Sequence, residues 1–499
     1  MSKHAIAQPL EFVGEWFLPD QEAAPRVTGT LTWSEKGATA KLHQPLTPLR
    51  GAVYGGDARS YPAIHGTTID SKLISVLDAT GGGAGFSFGP AGFRETETIV
   101  SSWVVVGGHV GSDTKYSEMT ARIPGLQLWI GRTGVTQTIL DKTETSGPSV
   151  VYYIEGLPEE ETSIPTLRTM LGWGINRSFS GDLISEISVT TSAGLRIQPA
   201  EPQNLQWFVE QLGKATTLLS LLAGSAMSPD HLSAREAIAG FNVEVLVSLR
   251  QAEYCTFTKA SEFYILRNAT EVDLGVIVSK WFAIYDSIAM PSELALSVLN
   301  TKDLWLHVEF LSLMQALEGF HRAVMEGKYS PDEDYEVVSH ALTSAIPASV
   351  ASDHRAALKA RIKYGNEVSL RKRLDGLAQR IPLEIRKVIL GANGAVPTSW
   401  VATRNYYTHW DEASRGAVLD GIEMHRAGVR MRHFLRVLYL SLVGIPDAAI
   451  AKALHDASDE CQYLAQLNSM EHRQSNPGSE AGAMLRIDSQ ASKTSGSSS

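Results

Sequence analysis

Residues 303–325, DLWLHVEFLSLMQALEGFHRAVM, decide how the second half of this chain folds. Leu306, Phe310, Leu313, Leu317, Phe320 and Val324 recur at alternating steps of four and three. That spacing lays them along one stripe of a long helix, and such a stripe must be buried against other helices. Further helical periods follow over 333–345, 352–379, 382–393, 399–410 and 412–443. In the last, Met424, Ala427, Met431, Leu435, Leu438 and Leu442 share an inner face, and Pro446 is the expected stop. The pattern predicts an all-α bundle over 300–460.

Upstream of that helix the period changes to two. Residues 27–33, VTGTLTW, alternate β-formers with small residues, and a turn at Glu35-Lys36-Gly37 leads into 38–42, which predicts a hairpin. Short β runs recur at 99–106, 126–130, 150–154, 184–190 and 243–249, and one helix is expected over 204–226. Residues 1–290 therefore read as a β-rich domain of sandwich or barrel type. The fold class is α+β and multidomain: a β-rich N-terminal domain followed by a helical bundle. From about Gln474 the chain turns small and polar, so 474–499 is expected to be a disordered tail.

Composition narrows the function classes. At 499 residues, 43% hydrophobic and 20% charged, the chain can bury a sizeable core divided over roughly two to four domains. Two cysteines, Cys255 and Cys461, cannot staple a secreted scaffold or make a CxxC zinc site, which fits a reducing compartment. The N-terminus reaches Pro9 and Glu11 before any apolar core of a signal peptide forms, and the greasy stretches at 218–226 and 434–445 are too short to span a bilayer. A cytoplasmic protein without membrane attachment is expected.

The net charge of −10 hides an asymmetry. Residues 354–436 carry sixteen Lys and Arg against seven Asp and Glu, a net of +9, which leaves −19 for the remainder. Such a cluster is either an ordinary solvated helix surface or a surface that replaces counterions on a phosphate backbone. Several chemistries drop out. Gly81–Gly85 lacks the Gly-Lys-Ser/Thr of a P-loop, and His307-Val308-Glu309 has no P-C-x-x-C after it. HExxH does not occur, and Gly85-Phe86-Ser87-Phe88-Gly89, which has the letters of G-x-S-x-G, is not read as a nucleophile elbow. No metal and no cofactor is expected.

One hexapeptide in the basic segment stands out: Arg404-Asn405-Tyr406-Tyr407-Thr408-His409, on a helix that Thr398 or Ser399 is placed to cap. Asn405 and His409 are four residues apart and share a helical face. Arg404 and His409 are five apart, about 140° around the helix, so their side chains do not naturally converge; Arg404 must reach around the helix or act on the partner's side of a composite site. Either His409 is a structural histidine beside Tyr406, Tyr407 and Trp410, or it is a group that titrates near neutrality for proton transfer.

Arg-Asn-x-x-x-His on a late helix of an α bundle resembles the signature of HEPN domains (higher eukaryotes and prokaryotes nucleotide-binding). Ala316-Leu317-Glu318-Gly319-Phe320-His321-Arg322, and Lys363-Tyr364-Gly365-Asn366-Glu367 followed by Leu370-Arg371-Lys372-Arg373-Leu374, narrow the resemblance to the ApeA-like branch. The front half, with Gly14-Glu15-Trp16-Phe17-Leu18-Pro19 and Val106-Gly107-Gly108-His109, is similar to the N-terminal domain of that branch. The resemblance covers roughly residues 10–460.

It implies an antiphage protein of the abortive-infection type, acting as a metal-independent endoribonuclease that works as a homodimer or higher oligomer. His409 would be the general base or acid, Arg404 the phosphate and transition-state stabiliser, and Asn405 an orienting group. Glu318 and His321 are supporting candidates: Glu318 either orients Arg404 or His409 or simply pairs with Arg322. Arg371, Lys372, Arg373, Arg426 and Arg430 are candidate RNA contacts, His433 extends the Arg426–Arg430 stripe, and Gly365 is a candidate helix cap. A structured RNA such as tRNA is the candidate substrate, a phage-encoded cue the candidate trigger, and the N-terminal domain the candidate sensor. The alternative is a non-catalytic HEPN module that binds RNA or protein.

Overall fold

The computed structural model describes residues 6–19, 26–47, 59–89, 92–132, 134–140, 149–182, 185–249, 254–267, 273–301, 304–410, 412–456 and 459–475. The tail expected over 474–499 lies, from Asn476 on, outside the described residues. The chain divides into two compact units, Met1–Ala260 with Leu266–Ala283, and Ser261–Ile265 with Ile284–Ser499.

The first unit is built on antiparallel pairing. Strands β1 (Leu10–Phe17), β2 (Val27–Ser34), β3 (Gly37–Leu42), β4 (Arg59–Thr68), β5 (Leu73–Gly89) and β6 (Gly92–Ser101) pair in the order β5-β4-β1-β2-β3-β6, and β6 pairs back onto β5. Six strands thus close into a barrel. The β2–β3 hairpin is the one legible in VTGTLTW: Val27, Gly29, Leu31 and Trp33 point inward, and Thr28, Thr32 and Ser34 point outward. Trp16 is 1% exposed and donates its indole N–H to the Gly29 carbonyl at 3.2 Å. Its ring lies against Gly66, where a Cβ would stand 2.4 Å from the ring, so only glycine fits there.

Beyond the barrel, β5 also pairs with β7 (Trp103–Val106). The sheet continues through β15 (Asn242–Val247), β14 (His231–Glu236), β8 (Tyr116–Arg122), β13 (Ile187–Pro199), β12 (Thr169–Gly181) and β11 (Glu160–Ile164). Strands β9 (Val135–Leu140) and β10 (Ser149–Ile154) form a separate hairpin. Residues 126–130, expected as a strand, are instead the short helix α1 (Leu126–Ile130). Gly125 and Gly131 flank it in the left-handed region, and Leu126, Trp129 and Ile130 bury one side. The run of β-formers misled because burial at i, i+3 and i+4 is helical spacing. Helix α2 (Leu205–Ala223) starts where Asn204 accepts the Trp207 N–H, and ends at Gly224.

Helix α3 (Leu274–Asn300) begins in the first unit and ends in the second. By length and composition it is long and apolar enough to cross a membrane, and it lies outside the stretches 218–226 and 434–445. Ile277, Val278, Trp281, Ile288, Ala295 and Val298 are all at most 2% exposed, whereas Val276 and Met290 on the same helix are exposed.

The rest of the second unit comprises α4 (Leu306–Val324), α5 (Asp332–Ser344), α6 (Ser352–Lys363), α7 (Leu370–Gln379), α8 (Leu383–Leu390), α9 (Thr398–His409), α10 (Gly421–Val443), α11 (Asp447–Asp456) and α12 (Asp459–Ser475). The α4 stripe is buried at Phe310, Leu313, Leu317 and Phe320 and packs against α10. Each such side chain contributes about 1.5–3 kcal/mol of burial. Phe320 meets Tyr439 edge-on at 4.8 Å, and Ser292 donates to the Tyr439 hydroxyl at 3.1 Å. The single helix expected over 352–379 is two. Gly365 is not its left-handed cap; its missing side chain admits the Tyr335 hydroxyl, to which a Cβ would be 2.3 Å away. Asn366 then ties the break to Ser330 through three hydrogen bonds. Helix α10 ends at Gly444 in the left-handed region, two residues before Pro446.

Candidate functional site

The Arg404–His409 hexapeptide forms the last two turns of α9. Pro397 occupies the position before the helix, and neither Thr398 nor Ser399 supplies a cap. The helix is held from one side: Trp400 and Thr403 are buried, and Thr403 Oγ1 accepts the Leu419 N–H at 2.9 Å. Tyr407 continues that side and stacks on His307 of α4, centroids 6.1 Å apart and planes within 15°.

Arg404 stands at the edge of this held face. Its Nη2 lies 3.6 Å from Glu318 Oε2 on α4, and its Nη1 donates to Asn405 Oδ1 at 3.4 Å. His409 falls on the opposite side of the helix by the 100° step, and it is exposed. Asn405 and His409 keep a common face. Arg404 and His409 lie about 140° apart on the helical step of α9. Thr408 donates to the Arg404 carbonyl at 2.7 Å and is engaged with the helix backbone.

Glu318 faces two cations at once. Its Oε1 accepts from Arg322 at 3.2 Å while its Oε2 faces Arg404. Arg322 reaches Glu367 at 2.8 Å, and Glu367 pairs with Arg373 of α7 at 3.0 Å. Arg373 Nη1 donates to His321 Nδ1 at 3.1 Å. Positive and negative groups therefore alternate from Arg404 through Glu318, Arg322 and Glu367 to Arg373. A guanidinium has only donors, so His321 Nδ1 is an acceptor and the imidazole is neutral. Burial, and then the cations of Arg373 and Arg322, push the His321 pKa below its ordinary value. His321 sits behind the network, 2% exposed, rather than beside His409.

The basic residues divide. Arg373 and Arg430, expected as RNA contacts, are 2% and 4% exposed. Arg430 donates to the Ile389 carbonyl, Asn468 and Glu471. His433 is fully buried, and Arg436 lies over the Tyr264 ring at 5.1 Å. Arg371 pairs with Asp375, Arg426 with Glu423, and Lys372 sits 4.3 Å over the Tyr329 ring. Asp375, Glu423 and Glu367 are already subtracted in the +9, whereas Glu471 is a counter-charge from outside that segment. Lys359, Arg361 and Lys363 of α6 remain exposed. Among the described residues no cluster of three His, Cys, Asp or Glu is placed to hold a metal ion.

A family model described as ApeA N-terminal domain 1 matches residues 11–281, and one described as Apea-like HEPN matches residues 311–449. The chain belongs to the ApeA N-terminal domain 1 family, and its residues 311–449 match the Apea-like HEPN domain. No curated protein and no solved structure gives a significant match. The ApeA-like HEPN segment takes in Glu318, His321, Arg322, Glu367, Arg373 and the whole of α9. Its membership makes this a HEPN-type defence protein.

In the sequence Glu367 carries no signal beyond its place in Lys363-Tyr364-Gly365-Asn366-Glu367. Its bond to Arg322 joins residues 45 positions apart in sequence, which no helical spacing signals. Arg322 itself was visible as the i+4 partner of Glu318.

Proposed function

We propose that this chain is a metal-independent endoribonuclease of abortive infection, with Arg404, Asn405 and His409 as its reactive group. The observation that carries this reading is the placement of Arg-Asn-x-x-x-His at the exposed end of α9, with Arg404 oriented by Glu318 from α4. RNA supplies its own nucleophile. His409 takes the 2′-hydroxyl proton, O2′ bonds to phosphorus, and the bond to O5′ breaks. A proton returned to O5′ leaves a 2′,3′-cyclic phosphate and a 5′-hydroxyl. An imidazole in this role contributes about 10²–10⁴-fold. The Arg404 guanidinium stabilises charge on the phosphate oxygens.

Because Arg404 and His409 lie about 140° apart on the helical step, Arg404 either reaches around α9 or acts in a composite site to which a second copy contributes. The β-rich domain, 1–290, is assigned the sensing and restraining role over the bundle at 300–460, with a phage-encoded cue as trigger and tRNA as a candidate substrate. That assignment rests on family analogy. Purified full-length protein incubated with total RNA in EDTA is the test. Cleavage with cyclic-phosphate ends, lost in Arg404→Ala and His409→Ala, supports the reading; a requirement for Mg²⁺ overturns the mechanism. Undiminished protection against phage in both variants favours the non-catalytic module instead.

A further inference from the structure

Of the ten tryptophans in the chain, Trp305 and Trp410 are the strongly exposed ones, at 78% and 70%. They are joined by other rings. Trp305 lies 6.3 Å from His307, His307 stacks on Tyr407, and Trp410 lies 6.4 Å from Tyr407 and 6.0 Å from Tyr406. Two helices, α4 and α9, thus present one continuous run of aromatic rings. Tyr407 is three residues after Arg404 and on the same side of α9. Trp410 directly follows His409.

The backbone at Trp410 is a second, independent observation. Its φ of 53° is in the left-handed region, where glycine is favoured and a bulky side chain is strained. A tryptophan at that cap projects a large ring into solvent beside His409 in place of the cheaper residue. Large exposed aromatics in continuous array mark a binding surface rather than a core. Rings with flat π faces suit nucleobases, which stack on them whatever their identity.

The geometry points to a base-stacking platform formed by Trp305, His307, Tyr407 and Trp410, which takes the unpaired bases beside a phosphate held at Arg404. It rests on the ribonuclease reading and sharpens it: the substrate is a single-stranded segment, bound with little sequence preference, and a continuous duplex is excluded because its bases are already stacked.

The test measures binding and not cleavage. Full-length protein carrying His409→Ala is titrated with a fluorescent single-stranded oligoadenylate and with a duplex RNA of the same length. The single strand is expected to bind more tightly than the duplex. Trp305→Ala and Trp410→Ala should each weaken single-strand binding by roughly tenfold, and Trp410→Phe should restore most of the loss. Both tryptophans are exposed, so these changes leave the fold in place, and sedimentation velocity is run on each variant. Unchanged oligoadenylate binding in both alanine variants overturns the platform alone. Conversion to a smaller species, with RNA binding intact, overturns it in favour of a contact between copies of the chain. A parent protein that binds no RNA overturns both the platform and the nuclease reading.

Discussion

Replacing Arg373 separates what the buried charge contributes from what its volume contributes. The guanidinium is 2% exposed and donates to His321 Nδ1 at 3.1 Å and Glu367 at 3.0 Å, with the Gly327 carbonyl at 3.5 Å. In Arg373→Ala the imidazole nitrogen is left without a donor, which costs about 1–3 kcal/mol. The emptied volume adds to that cost. Glu367 is not orphaned, because Arg322 remains 2.8 Å away. The loss therefore falls near the lower end of the range for a broken buried pair, about 3 kcal/mol. Arg373→Met fills the volume and leaves only the unpaired nitrogen, about 1–2 kcal/mol. Adding His321→Leu to Arg373→Met removes that nitrogen and should recover most of the loss. Urea unfolding of the full chain, followed by hydrogen exchange at α4 and α7, gives the three values. A loss under about 0.5 kcal/mol in Arg373→Ala, or a double variant no more stable than Arg373→Met, refutes the reasoning.

Three further outcomes are expected. His321 has a folded-state pKa below its unfolded value, so the unfolded chain binds more protons between the two. Stability should be complete above the unfolded pKa near 6.5 and fall as pH drops from there toward the folded value; His321→Asn, which keeps an acceptor, should flatten that fall in a series of melting temperatures. Trp410→Gly relieves the left-handed strain and should stabilise the bundle by about 1 kcal/mol, read as a rise in melting temperature. Thr403→Val deprives the Leu419 N–H of its acceptor and should cost about 1–2 kcal/mol, with faster amide exchange at Leu419.

The sequence carried the two periods well. The step pattern over 303–325 marks α4, and VTGTLTW marks the β2–β3 hairpin, because each periodicity reflects one buried face. It also carried the hexapeptide on α9 and the divergence of Arg404 from His409, which follow from the helical step alone. It did not carry the break at 364–369, which depends on Tyr335 reaching Gly365 from another helix. Arg373 and Arg430 read as surface charges because their partners lie elsewhere in the chain; Glu471 is 41 residues beyond Arg430. Charge in sequence reports composition, whereas burial is settled by tertiary pairing.

The double pairing of β5, with β6 to close the barrel and with β7 to extend it, also decides how this sheet ends. An open sheet of thirteen strands has two terminal strands, each a row of unsatisfied amides that can recruit another chain. Here one of those ends is folded back onto β5, so among the described residues the strand order of this sheet ends at β11, with the β9–β10 hairpin standing apart from it. That strand is five residues long, begins Glu160-Glu161, and has Glu160 tied to Arg132 and Arg267. A short, acidic, already engaged edge is a poor template for aggregation.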